Sequence, residues 1–203
     1  MVETVEAATR DDVGGLIELL NARPPAFWMR KVGDEDLRKF LRSAVQSPRC
    51  VLLAARAPGE AVPAGYIFAV LDTRRFWSGF VLRNPALALK ISVHRARRLR
   101  ERRREIDGRA GGDAAALPPF AWAPSARSAA RVIGLFVRPE HRHKGVALSL
   151  YSGLFDALKA KGVALVEEYM GPDYAQYAGT FPEASGWRLQ QCRCRGYKLA
   201  KEL

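Results

Sequence analysis

Apolar positions recur along this chain with two periods, and the switches between them lay out a string of elements. Residues 3–7 alternate weakly and predict a short first strand. Thr9-Arg10-Asp11-Asp12 follows, a hydroxyl with an acid three residues on, which is a helix-start pattern. Val13, Leu16, Ile17 and Leu20 then recur at helical spacing until Arg23-Pro24-Pro25 stops them. A second helix is predicted from Asp34-Glu35-Asp36, with Leu37, Phe40, Leu41, Ala44 and Val45 on one face and Pro48 beyond its end. Two apolar runs, 50–55 and 65–71, read as strands joined by the turn residues Pro58-Gly59.

Residues 74–128 break this rhythm. Phe76 to Leu82 is an aromatic apolar run, and a helix is predicted from Pro85 to about Arg104 with Leu89, Val93, Ala96 and Leu99 as its packing stripe. Residues 108–124, rich in Gly, Ala and Pro, read as a mobile loop. Order returns with a strand at 132–137 and a helix from 145 to about 161, striped by Ala147, Tyr151, Leu154 and Leu158 and stopped by Gly162. A strand at 163–170, a short helix capped by Asp173 and one or two closing strands within 187–198 complete the chain. The expectation is one domain over 1–203, carrying an insertion at about 74–128, with a mixed α/β sheet flanked by helices in the order β-α-α-β-β-insertion-β-α-β-α-β.

Composition changes the picture in one place. The 203 residues hold 33 Lys and Arg against 21 Asp and Glu, a net charge of +12. The apolar share of 48% and charged share of 27% argue against disordered, collagen-like and membrane-spanning classes. Between Arg74 and Arg109, however, twelve basic residues face only Glu101, Glu105 and Asp107, so this stretch alone carries +9. Cys50, Cys192 and Cys194 are too few for a disulfide scaffold, and Cys192-x-Cys194 lacks zinc spacing. The first residues show neither a basic n-region nor an apolar h-region. A cytoplasmic, reduced setting is expected, with no metal.

The chemistry concentrates in Val137-Arg138-Pro139-Glu140-His141-Arg142-His143-Lys144-Gly145-Val146-Ala147. A strand ends, a proline-led turn follows, and a basic loop opens a helix whose first N–H groups suit a phosphate. Gly145 removes a side chain where backbone must approach an anion closely, and Arg142 and Lys144 add charge. Neither a Walker loop nor a dinucleotide fingerprint is present. His141 and His143 are expected to be solvated beside this loop.

Arg142-His143-Lys144-Gly145-Val146-Ala147 resembles the R/Q-x-x-G-x-G/A signature of the GNAT (Gcn5-related N-acetyltransferase) superfamily. The flanking element order over 1–72 and 129–203 is similar to that family too. The resemblance implies acetyl-CoA as cosubstrate, with pantetheine along Leu135, Phe136 and Val137. Pyrophosphate would lie on the amides of His143, Lys144, Gly145, Val146, Ala147 and Leu148. The family often has a Tyr four residues before a Gly-Phe pair as general acid. Here the pair is Gly186-Trp187 and Pro182 stands at that spacing, which leaves Tyr174 and Tyr177 as candidates for the acid. Tyr169, Tyr174 and Tyr177 also read as packing residues, and Cys192 and Cys194 as small packing residues.

Glu167 and Glu168 interrupt an apolar strand and point to opposite faces, so one is a candidate general base facing an acceptor amine. The alternative is a strand-end charge paired with a nearby Arg. The functional expectation is acetyl transfer to a primary amine on an anionic compound, a nucleotide- or lipid-linked amino sugar, drawn in by the basic insertion. Protein N-termini or lysines are the alternative acceptors. A second class of function is a binding module at an anionic membrane through 76–104, with Phe76, Trp77 and Phe80 at the lipid interface and the protein peripheral at the membrane's inner face. Nucleic acid ranks below it for want of a motif, and a homodimer accords with the resemblance.

Overall fold

The computed structural model describes residues 4–22, 33–90, 92–93, 96, 129–170, 186–191 and 197–203. Seven strands form one sheet: β1 (Thr4–Ala7), β2 (Cys50–Arg56), β3 (Gly65–Val70), β4 (Ala129–Val137), β5 (Leu165–Met170), β6 (Arg188–Gln191) and β7 (Tyr197–Glu202). Their spatial order is β1-β2-β3-β4-β5-β7-β6, and among the described residues only the β4–β5 pair is parallel. α1 (Val13–Asn21), α2 (Asp34–Val45) and α3 (Thr73–Arg83) cover one face, while α4 (Val146–Lys159) covers the other. β2 and β3 are buried on both faces, which is why they are continuous apolar runs rather than alternating ones. Leu52, Ala54, Tyr66, Phe68 and Val70 pack toward α1 and α2, and Val51, Leu53, Ala55, Ile67 and Ala69 toward α4.

Asp12 is the N-cap of α1, and its carboxylate reaches back to the Thr9 N–H at 2.7 Å and the Thr9 hydroxyl at 3.0 Å. The same carboxylate is bonded by Arg56 at the end of β2, which fixes the start of α1 to the sheet. α2 opens on Gly33 and carries Asp34, Glu35 and Asp36 in its first turn, where acids complement the helix dipole.

The stretch expected to begin an insertion differs from its sequence reading. Residues 73–83 form α3, with Asp72 accepting from the Arg75 N–H at 2.9 Å. Phe76 and Phe80 are buried, and Phe40 of α2 meets them edge-on with ring centroids 6.2 and 5.4 Å away. Phe68 joins the group 5.9 Å from Phe40, and half-buried Trp77 stacks on Phe40 at 6.2 Å. These rings complete the core and do not present themselves to a lipid interface. The helical stretch at 85–90 turns Leu87 and Ala88 into that core, whereas Leu89, Val93 and Ala96 are exposed. The predicted packing stripe therefore faces outward. The closing strand also runs on to Glu202, past the predicted end at 198. Loop 108–124, Leu99, the Asp173 cap, Cys192 and Cys194 lie outside the described residues.

Candidate functional site

The sheet opens along β4. From Ala129 opposite Leu165 to Val132 opposite Glu168, β4 pairs with β5. Beyond Val132 it stays with β3 as far as Val137 opposite Gly65, whereas β5 continues beside β7. Among the described residues no strand takes up the β5-facing edge of 133–137, and Ile133, Gly134, Leu135 and Val137 are half-buried there. The result is a V with Val132 and Glu168 at its vertex. A bulge lies at the parting point, where Phe68 partners Gly134 but Ala69 partners Val132, leaving Ile133 as the extra residue. The extra residue shifts the alternation by one. Ala130 and Val132 pack toward α4, and after the bulge Leu135 and Val137 do so, with Phe136 on the opposite face.

At the mouth of the V the chain turns sharply into α4. Pro139–His141 forms a single 3-10 turn. Arg138 donates to Glu60 at 2.6 Å and also pairs with Glu140. His141 is buried, with Nε2 3.2 Å from the Glu60 carboxylate, which corrects the expectation of a solvated imidazole. Glu60 lies in the β2–β3 connection, so one carboxylate ties that connection to the β4–α4 loop. Arg142 donates from Nε to the Val137 carbonyl at 3.2 Å, and Arg142, His143 and Lys144 are exposed.

His143 (φ +61°) and Gly145 (φ +84°) both take left-handed backbone, so the loop doubles back before the helix. Gly145 is the N-cap of α4, and among the described residues no side chain caps the helix. Val146 seats the first turn in the core, while the space where a Gly145 side chain would stand is open. The first N–H groups of α4 thus face outward beside exposed Arg142 and Lys144, an arrangement that suits an anion.

Two carboxylates stand at the vertex, one on each face. Glu167 is 1% exposed and meets Arg131, its neighbour on β4, at 3.7 Å. Glu168 is half-buried on the α4 side and accepts a hydrogen bond from the Tyr151 hydroxyl. Burial pushes the Glu168 carboxyl up to about 7, partly offset by the tyrosine's bond. Burial, and then the charge of Glu168, holds the Tyr151 phenol well above its usual range. At neutral pH Glu168 therefore exchanges a proton readily, which an ordinary carboxylate does not.

The predicted loop residues Arg142 to Leu148 and the predicted strand residues Leu135, Phe136 and Val137 converge on one mouth, and Glu167 and Glu168 share its vertex. Tyr174 and Tyr177 lie outside the described residues. Tyr151 was readable only as part of a helical stripe, although a tyrosine on a buried face signals a hydroxyl in need of a partner. Glu60 gave no signal in the sequence. No group of three or more His, Cys, Asp or Glu among the described residues is placed to hold a metal.

No family model matches the sequence, and no curated protein matches it. Solved structures do. The chain is similar to the PaiA N-acetyltransferase of Thermoplasma acidophilum in complex with coenzyme A, with a TM-score of 0.60, 13% identity and 100% of both chains covered. It is similar to an acetyltransferase of the GNAT family from Staphylococcus aureus, with a TM-score of 0.58, 10% identity, and 100% of this chain and 99% of that one covered. The ribosomal-protein-S18-alanine N-acetyltransferase of Escherichia coli has a TM-score of 0.55, 13% identity, and 99% of this chain and 94% of that one covered. At these identities the likeness is one of architecture, and the chain has the fold of the GNAT acetyltransferases.

Proposed function

We propose that this protein is an acetyl-CoA-dependent N-acyltransferase. The observation that carries the reading is the V between β4 and β5 with an uncapped helix N-terminus at its mouth. The five residues 133–137 span about 16 Å at ~3.3 Å per residue, a run comparable to an extended pantetheine arm. Pyrophosphate would be held by the amides of His143 to Leu148 with Arg142 and Lys144, and pantetheine by the open edge of Leu135, Phe136 and Val137. The cosubstrate supplies an acyl group on a thioester, placed near the vertex.

Glu168 is the general base in this reading. It accepts the proton of the attacking amine, directly or through a water, and Tyr151 positions its carboxyl. Glu167, paired with Arg131 on the opposite face, holds the vertex in this reading. The acceptor is a primary amine on an anionic compound, a nucleotide- or lipid-linked amino sugar, because the +9 stretch would concentrate anions and repel polyamines.

The test is calorimetric titration with acetyl-CoA, followed by an amine panel read by release of free CoA. Binding with turnover of an anionic amine supports the reading. Absence of binding at millimolar cosubstrate overturns it, and a preference for spermidine overturns the acceptor assignment.

A further inference from the structure

The helical stretch that follows α3 is apolar on two opposite sides. Leu87 and Ala88 are buried in the core, and Ala88 accepts from Ser92 Oγ at 2.8 Å. At 3.6 residues per turn, Ala86, Leu89, Val93 and Ala96 fall on the side facing away, and all four are exposed. Leu89 is 66% and Val93 42% exposed, and Leu82, just before the break at Asn84 and Pro85, is 83% exposed. The stretch is held in this orientation by Lys90 Nζ, 2.5 Å from Asp36 on α2. Single exposed apolar residues need no explanation, but a row at helical spacing does.

The charge of the same stretch of sequence selects the row's occupant. Residues 85–100 contain Lys90, Arg95, Arg97, Arg98 and Arg100 and no acid. Immediately upstream, Arg83 and Asn84 line a surface groove of about 680 Å³ with Arg10, Lys39 and Arg42. Asp11 also lines that groove, and Lys39 is paired with Glu35 at 2.9 Å, so the groove remains cationic. A second copy of this chain seated on the row would bring two cationic flanks together, and the neighbouring acids Asp36 and Glu35 are already paired with Lys90 and Lys39. A negatively charged lipid surface meets both the row and its flanks.

We propose that the exposed row Ala86, Leu89, Val93 and Ala96 docks this protein on an anionic membrane surface, lying in the headgroup region. No helix among the described residues is long and apolar enough to cross a membrane, so the contact is peripheral. The docking residues are these four and not Phe76 or Phe80, which the core holds. The inference does not depend on the acyl-transfer reading.

The experiment is sedimentation of the full chain with phosphatidylcholine vesicles, with and without phosphatidylglycerol, for the wild type and a Leu89→Gln/Val93→Gln variant. The wild type is expected to pellet with the anionic vesicles only. The variant should bind about tenfold more weakly at an unchanged thermal midpoint, because both side chains are already in solvent. Equal pelleting on both vesicle types, or a variant that pellets like the wild type, overturns the proposal. So does a dimer that the variant converts to monomer, or tight binding to duplex DNA without binding to vesicles.

Discussion

Tyr151 donates its hydroxyl to Glu168 at the point where β4 and β5 separate. The bond joins the buried face of α4 to the vertex of the cleft, where burial raises the Glu168 carboxyl to about 7 and the bond partly offsets that rise. Its consequences are measurable in rate and in stability.

Glu168→Gln should lower kcat by about 100-fold with little change in the acetyl-CoA KM. In the wild type, kcat/KM should rise with pH through about 7 and then level, and the variant should lack that limb. Stability carries the same signature. Because the folded carboxyl holds its proton more tightly than the unfolded one, its stabilising contribution is complete below pH ~4.5 and is lost as pH climbs to about 7. Thermal melts across that window should show the wild type losing about 2 kcal/mol relative to Glu168→Gln, allowing for solvent at a half-buried group.

Tyr151→Phe removes a bond that holds the Glu168 carboxyl down. The rising limb of the rate profile should move to higher pH, and stability should fall by about 1–2 kcal/mol. A pH–rate profile that stays in place would show that the hydroxyl does not act on the carboxyl.

Arg131→Ala should cost about 3–5 kcal/mol in urea unfolding, because it leaves Glu167 buried without its cation. An Arg131→Met/Glu167→Leu double variant should regain most of that stability. It should also retain activity, which separates the roles of the two neighbouring carboxylates; loss of turnover in a folded double variant would assign the base to Glu167.

Glu60→Ala removes the one carboxylate that Arg138 and His141 share. The β4–α4 loop should lose its fixed aim, raising the acetyl-CoA KM about tenfold while leaving kcat close to wild type. Titration calorimetry should show the loss in cosubstrate affinity directly.

Gly145→Val places a branched side chain on left-handed backbone at a cost of about 1–2 kcal/mol. It also fills the open space over the start of α4. The expected kinetic result is a raised acetyl-CoA KM, with Gly162→Val, at a left-handed glycine beyond the far end of α4, as the control that shares the strain alone.

The sheet was legible because β2 and β3 are apolar on both faces, a pattern that leaves few alternatives between turn residues. The start of α1 was legible through Thr9 and Asp12, but its Arg56 partner stands 44 residues away and no local rule reaches it. In the insertion, the spacing of Leu89, Val93 and Ala96 identified a helix face without saying whether the core lay beneath it. Phe76 and Phe80 are four apart, the spacing of a helix face meeting a core, yet their aromatic character and basic neighbours pointed to lipid. Glu167 and Glu168 were visible as charges in a strand. Which of them would be proton-active depended on Arg131 and Tyr151, supplied by β4 and α4, and that information exists only once the two elements are packed against β5.

Phe76 and Phe80 also decide where the body of the protein ends and its extra segment begins. By sequence the divide falls near Arg74, but four rings from α2, β3 and α3 share one contact, and Leu87 and Ala88 close over them. A chain shortened at residue 74 would lose keystones of its central packing, whereas one joined after residue 88 would keep them. Anything that pulls on the outer helix consequently pulls on Phe40, and through it on the helix pair that walls one side of the sheet. The segment is rooted like a handle cast in one piece with its vessel.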